Sequence, residues 1–338
     1  MGKMKRILYF RHDKIGDFVL AWPALAMLKR ALPEASIEVF VTPVVASLAE
    51  ACPYVDHIIL DTGDDKAIRA QIAERNYDGI VMARSQVRTM FLVRGLGVPY
   101  VVAPKLHWYQ YCYKHRVNIQ MGEGEPVWRK GCRLTERLLR DNDIPIPSLP
   151  TQYWDLSAER PKWQAFYQKQ ADSQLVFVHA GTGGSSGSLP TSHFVSLIRQ
   201  IHEQTEQPCQ FVLTYSGEER KLAEEIHQAL ADTPVNVALA PPLDKLVDFA
   251  KSLVAADMFI AGSTGPLHLA GLHDVPTVGF YAARRSAVHV KWQTLSQAHK
   301  RLSFTPPPGR RDGRNMALVD VDLAASKVAA FLNQDQGK

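Results

Sequence analysis

The chain has 338 residues, 46% of them apolar and 22% charged, with a net charge of +5; that length fits two domains with ordinary cores rather than one. So mildly basic a balance does not by itself imply nucleic acid, although it suits an acidic partner or an anionic membrane surface. No uncharged apolar window of about 18 residues exists, so no membrane-spanning helix is expected.

The opening MGKMKRILYFRHDKIGD has only about five apolar residues before Arg11, which predicts a first strand and not a secretion signal. It lacks the Ser or Thr that N-myristoylation requires. Cys52, Cys112, Cys132 and Cys209 show no CxxC spacing; they predict neither a zinc site nor a disulfide framework and suit a reducing cytosol.

Residues 6–10 predict a strand, and 17–32 a helix with apolar residues at helical spacing, ended by Pro33. Strands at 36–41, 57–60, 79–83 and 100–103 alternate with helices at 44–51, 66–75 and 89–95, the pattern of an open parallel sheet with helices on both faces. Segment 105–129 breaks the rhythm with aromatic and basic residues, among them Trp108, Tyr111, Lys114 and Arg116. It reads either as a surface that meets a partner or as a surface helix with core-facing aromatics. A helix at 130–142 precedes a proline-spaced linker at 144–150, which places a domain boundary near 150–172.

The alternation then restarts, with strands at 175–179, 210–214 and 236–239 and helices at 193–204, 218–230 and 244–255. An apolar run at 258–261 predicts a buried strand. The turn Gly262-Ser263-Thr264-Gly265 follows, Pro266 starts a helix where its missing N–H does no harm, and 276–281 is the next strand. Segment 284–315, with Arg310, Arg311 and Arg314 beside a proline run, reads as a basic loop without a recognised nucleic-acid module. A helix at 322–333 closes the chain. Two αβ halves of similar size predict an α/β protein of two facing Rossmann-like domains with a cleft between them: 1–155, 172–318, and a C-terminal helix and tail, 319–338, packing back across the cleft.

Ligands of open α/β sheets bind at the carboxyl ends of the strands, so three loops and the 262–265 turn matter most. In Arg11-His12-Asp13-Lys14-Ile15-Gly16-Asp17, Gly16 can supply an unusual backbone angle, and Asp17 is either a helix cap or a general base. The run from His179 to Pro190, which holds Thr182 and Ser188, is either a phosphate-wrapping loop or a flexible linker. It is no P-loop, and it does not match a dinucleotide fingerprint. In Tyr215-Ser216-Gly217-Glu218-Glu219, the Glu218 carboxylate suits a ribose or sugar hydroxyl pair, with helix capping by Glu218 or Ser216 as the competing account. The 262–265 turn offers free N–H groups and small hydroxyls at a helix start, an anion site that suits a nucleotide diphosphate. His268, one turn further, faces phosphates or packs. Asp13 and Asp17 lie on a loop and form no glycosidase pair, and His12, Asp13 and His57 have no metal-ligand spacing.

RILYFRHDKIGDFVLAWPALAMLKRALPEASIEVFV at 6–41, VFVHAGTGGSSGSLPTSHFVSLI at 176–198 and FIAGSTGPLHLAGLHDVPTVGFY at 259–281 together resemble glycosyltransferase family 9, the ADP-heptose:lipopolysaccharide heptosyltransferases. The pieces occur in the family's order and spacing across nearly the whole chain. The resemblance implies a GT-B fold, with the donor in the C-terminal half and the acceptor in the N-terminal half. It implies inversion at the sugar carbon, no metal and no further cofactor. It makes Asp17 the general base, with Gly16, Lys14 and Arg11 on the acceptor side. It places Thr264, Gly265, Leu267 and His268 on the nucleotide diphosphate of the donor, Glu218 on the nucleoside, and Thr182, Ser188 and Ser263 at the donor. It also implies an ADP-heptose donor, a lipid-linked glycan acceptor, and a cytoplasmic protein peripheral to the inner membrane, with no nucleic-acid partner. Two departures stand out. Ser263 occupies the place of the family's heptose-contacting Asp, and Gly187-Ser188-Leu189-Pro190 lacks the family's phosphate-binding Lys. Arg284 or Lys14 compensates, or the donor is a different nucleotide sugar, or the chain is a non-catalytic binding member. A nucleotide-sugar epimerase of the same architecture would need acid/base residues around the sugar ring, and the Gly16-Asp17 motif with its Pro-Ala-Leu run speaks against it.

Overall fold

The computed structural model describes residues 4–122, 124–184, 187–283, 289–309 and 312–334. The chain divides into two units, Met1–Trp154 with Lys245–Val247, and Asp155–Asp244 with Asp248–Lys338.

In the first unit the apolar run RILYF becomes β1 (Arg6–Phe10), whose Ile7, Leu8, Tyr9 and Phe10 are fully buried. Burial on both faces is what a central parallel strand requires. The region expected as one helix is two, α1 (Ile15–Val19) and α2 (Trp22–Ala31). Pro23 is the reason. It has no N–H to give to Val19, and its ring would strike that carbonyl in a continuous helix, so the chain restarts with Pro23 in the first turn of α2. Then follow β2 (Ser36–Val41), α3 (Ala46–Glu50), β3 (His57–Leu60), α4 (Asp65–Glu74), β4 (Gly79–Val81), α5 (Val87–Val93), β5 (Tyr100–Pro104), β6 (His115–Val117) and α6 (Arg129–Asp141). All pairings are parallel, in the order β3-β2-β1-β4-β5-β6. β6 lies inside the segment expected only to break the pattern.

The second unit opens with α7 (Arg160–Phe166), inside the expected boundary zone. It continues through β7 (Gln174–His179), α8 (Thr191–Gln204), β8 (Cys209–Thr214), α9 (Arg220–Leu230), β9 (Asn236–Leu239), α10 (Leu246–Ser252), β10 (Met258–Gly262), α11 (Gly265–Leu272), β11 (Thr277–Phe280), β12 (Arg301–Phe304) and α12 (Val321–Leu332). Its parallel sheet has the order β12-β11-β10-β7-β8-β9. β12 falls within the segment read as a basic loop. α12 packs along α8 and buries Ala324, Ala325, Val328 and Leu332 in this unit's core.

Each sheet therefore has the same order, counted from its own first strand. In each, the chain runs outward from the first strand in one direction and from the fourth in the other. The switch points lie between β1 and β4, and between β7 and β10, where loops after the strands diverge and leave room for a ligand. Among the described residues, no helix is long and apolar enough to cross a membrane.

Candidate active site

At the first switch point, the loop after β1 is organised by Arg11. Its Nη2 donates to Asp17 Oδ1 at 2.6 Å and its Nε to the Asp17 carbonyl at 3.0 Å. The single Nε hydrogen is thus spent on Asp17, and the 3.1 Å approach of Nε to Asp13 Oδ1 is electrostatic. Asp13 Oδ1 is buried and accepts no hydrogen bond among the described residues. Burial pushes the Asp13 carboxyl up from 3.8 to about 6, against the pull of Arg11 and with the push of Asp17. Arg84, just beyond β4, brings its Nε to 3.9 Å from Asp13 Oδ2.

Asp17 does not cap α1. The N-cap is Lys14, without a side-chain cap, and the Asp17 carboxylate in the first turn is committed to Arg11. Lys14 is exposed. Gly16 lies within α1 and is not among the residues with positive φ, so no unusual backbone angle is needed there. His12 is buried against Phe10 and Phe40, with Nε2 3.1 Å from Gln86 Oε1, and burial keeps its pKa below the ordinary value.

In the second unit, the loop after β7 turns on Gly183 and Gly184, which take φ of 53° and 68°. The Gly183 amide donates to Glu219 Oε1 at 2.7 Å, and Ser216 Oγ to Glu219 Oε2 at 2.8 Å. Burial raises the Glu219 carboxyl. The Gly183 amide, the Ser216 hydroxyl, His179 and the Thr182 amide outweigh that and hold it below the usual carboxylate range. His179 is buried, its Nδ1 3.0 Å from Thr214 Oγ1, and burial lowers its pKa against the pull of Glu219. Glu218, by contrast, is exposed. Neither Glu218 nor Ser216 caps α9, whose N-cap is Glu219 without a side-chain cap. The Ser188 hydroxyl is spent inside the loop, on the carbonyls of Ala180 and Leu189 at 3.0 Å each. Ser185 and Ser186 of this loop, and Arg284, Arg310 and Arg311, lie outside the described residues.

The turn after β10 delivers the N-terminus of α11. Thr264 is its N-cap, and Pro266 sits in its first turn. The Thr264 side chain makes no cap hydrogen bond, and its buried Oγ1 has no partner among the described residues. The His268 amide takes the Thr264 carbonyl at 3.3 Å, the first bond of the helix. By helical geometry, the amides before it at Gly265 and Leu267 have no carbonyl within the helix to bond. The Ser263 amide is spent on the Phe280 carbonyl at 3.1 Å. Leu267 and His268 are buried.

Sequence reasoning named Asp17, Arg11 and the Thr264 turn, and the structure adds Asp13 and Glu219. Glu219 carried a signal: it stands four, seven and eleven residues before Ala223, Ile226 and Leu230, the buried stripe of α9. Glu218 is off that stripe. Asp13 carried none, because Arg84 reaches it only through the pairing of β4 with β1.

Residues 66–306 match the sequence profile described as glycosyltransferase family 9 (heptosyltransferase). A Haemophilus influenzae protein provisionally named a glycosyltransferase is 34% identical over 341 residues, covering 97% of each chain. The fold matches the Escherichia coli ADP-heptose lps heptosyltransferase II at a TM-score of 0.76 and 17% identity, over 99% of this chain and 100% of that one. It also matches the E. coli heptosyltransferase WaaC with ADP at 0.70 and 17%, over 96% of this chain and 97% of that one.

Proposed function

The chain belongs to glycosyltransferase family 9 and is a glycosyltransferase of GT-B fold, and from that premise we propose that it moves a heptose from ADP-heptose to a lipopolysaccharide or lipooligosaccharide core, with inversion at the anomeric carbon. The observation that carries the donor half is the N-terminus of α11, where the Thr264 hydroxyl has no partner among the described residues. Donors fixed in place before the reaction stabilise the charge that grows on a departing diphosphate. The ADP in the WaaC structure supports an adenine nucleotide there. His268 underlies the same turn, and Glu219 with Thr182 forms a polar group suited to ribose hydroxyls, a role the family resemblance assigned to Glu218.

On the acceptor side, Asp17 takes the proton of the attacking hydroxyl. Its pairing with Arg11 at 2.6 Å fixes its direction, and general-base help of this kind contributes about 10²–10⁴-fold. The reaction asks no metal of these residues; the lipid-linked acceptor would approach from the side of Gly16 and Lys14.

A second reading keeps the transfer and changes the donor sugar. Ser263 is neutral where the family has an Asp, and the Ser188 hydroxyl is tied to loop carbonyls in a run without the family's Lys. A non-catalytic nucleotide-sugar-binding member is the outcome if turnover is absent.

Thermal shift with ADP, GDP, UDP, CMP and their sugars, on wild type and Asp17→Asn, separates these readings. We expect a selective rise with ADP-type ligands that persists in Asp17→Asn, while transfer falls about 10²–10⁴-fold. A rise confined to another nucleotide changes the donor; undiminished transfer in Asp17→Asn removes it from the role of base.

A further inference from the structure

Between Asp78 and Glu123 the sequence contains Arg84, Arg88, Arg94, Lys105, Lys114 and Arg116, and no Asp or Glu. In a chain with 34 acidic residues among 338, a stretch this long without one is an asymmetry of charge. The fold gathers it: α5 packs against the tight turn Trp108–Cys112, which precedes β6.

The turn is built to hold rings outward. Gln110 is buried, and its Oε1 accepts from the amides of Leu106 and His107 at 2.7 and 2.9 Å. The Tyr109 hydroxyl donates to the Ser85 carbonyl at 2.8 Å, and Tyr113 is buried in the core beneath with Met90, Leu92 and Val93 of α5. The inward positions are thus filled and fixed. Beside the exposed His107, large apolar side chains remain outside: Trp108 is 76% exposed, Tyr111 65%, Phe91 58% and Leu106 46%. On α5 the outward stripe is Val87 and Phe91, one helical turn apart, with Arg94 next along it. Arg69 of α4 fixes the end of that helix by donating to the carbonyls of Phe91, Leu92 and Arg94.

The charges on this face are mostly unspent. Arg88 is neutralised by Asp61 and Asp65 at 2.7 Å each, and Arg84 leans toward Asp13. Arg94, Lys105, Lys114 and Arg116 stand outside the ion pairs of the described residues, and the Arg116 guanidinium lies 4.2 Å over the Tyr111 ring. Anchored Trp and Tyr rings beside apolar side chains, with Arg94, Lys105, Lys114 and Arg116 in the same carboxylate-free stretch of sequence, match the chemistry of a headgroup layer: anionic phosphates outside, acyl chains within.

We propose that this face of the first unit, formed by the outer side of α5 and the Leu106–Arg116 stretch, docks on an anionic phospholipid surface. The rings enter the interface between headgroups and acyl chains, and Arg94, Lys105, Lys114 and Arg116 meet the phosphates. The docking deepens the proposed use of a lipid-linked acceptor, because it would hold the transferase at the layer that carries it. Its test uses neither donor nor acceptor, so its failure and that of the transfer reading are separate results.

The test is flotation of the full chain with vesicles of phosphatidylcholine alone or mixed with phosphatidylglycerol, at low and high salt, with Trp fluorescence recorded alongside. The variants are Trp108→Ala/Tyr111→Ala and Lys105→Glu/Lys114→Glu. Wild type should float with the mixed vesicles, lose that binding as salt rises, and show a blue shift that Trp108→Ala removes. Each double variant should bind about tenfold or more weakly, with the melting temperature and nucleotide-induced shift of wild type. Absence of flotation with mixed vesicles, equal flotation with phosphatidylcholine alone, or unchanged binding in both variants overturns the proposal. So does self-association in light scattering that the aromatic variant abolishes, since the face would then serve a second copy of the chain.

Discussion

Arg11 sits between two carboxylates that it treats differently. Asp17 receives its hydrogen bonds, whereas Asp13 receives only its field and stays buried without a donor on Oδ1. The consequence is a linkage with a definite sign. The folded Asp13 carboxyl has a pKa of about 6 against an ordinary 3.8, burial being the main cause, so the folded state binds the proton more tightly. Stability is greatest while Asp13 is protonated, falls as pH climbs from about 4 through about 6, and is flat above. The gap of about two units corresponds to at most about 3 kcal/mol. Asp13→Asn, which copies the neutral form, should therefore be about 1–3 kcal/mol more stable than wild type near pH 8 and equal to it near pH 4. Urea denaturation at the two pH values measures this; a variant less stable near pH 8 would show that the Asp13–Arg11 attraction exceeds the burial cost. Such a cost, retained in the chain, fits a carboxylate kept for the site and not for the fold.

At the scale of elements, α11 is pressed against backbone of the 294–296 strip. A Cβ on Gly271 would lie 2.8 Å from the Leu295 amide nitrogen and 3.0 Å from Thr294 Cβ, and a backbone atom cannot swing aside as a side-chain tip can. Gly271→Ala should destabilise the protein by about 1–3 kcal/mol, read as a lower urea midpoint with an unchanged slope; an unchanged midpoint would mean that the 294–296 strip yields freely. Elements of this kind were legible to different degrees. β1 and β10 announced themselves as unbroken apolar runs because central parallel strands are buried on both faces. β6 and β12 are edge strands whose sequences, HRV and RLSF, begin with polar or charged residues and run three and four residues, too short for a period to show. The break between α1 and α2 was written in Pro23, at the place where a single helix had been expected. In the site, Asp17 and the Thr264 turn were legible as local motifs. Choosing Glu219 over Glu218 needed the register of α9, and Asp13 needed contacts that only the fold creates.

The whole molecule repeats one sheet order twice, each sheet with its own buried cluster: Leu8, Phe10, Phe40 and Ile80 in the first unit, and Val176, Phe211, Ile260 and Val278 in the second. Equal architecture does not mean equal chemistry at the two switch points. The first presents a carboxylate held by a guanidinium, which suits removal of a proton. The second presents a glycine loop tied to Glu219 and a helix start whose Thr264 hydroxyl makes no cap bond, which suits an anion and its nucleoside. The nucleotide should therefore stabilise the second sheet specifically. At a concentration about 100 times its dissociation constant, ADP adds about 2.7 kcal/mol to the state that binds it. Amide hydrogen exchange should slow most in β7, β10 and α11, the elements that carry the glycine loop and the Thr264 turn, while β1, β2 and β4 exchange as in the free protein. Thr264→Val removes one hydroxyl that the diphosphate would use and should shrink that gain without altering the exchange of the free protein. Protection centred instead on β1 and β4 would assign the nucleotide to the Arg11–Asp17 loop and exchange the roles of the two units.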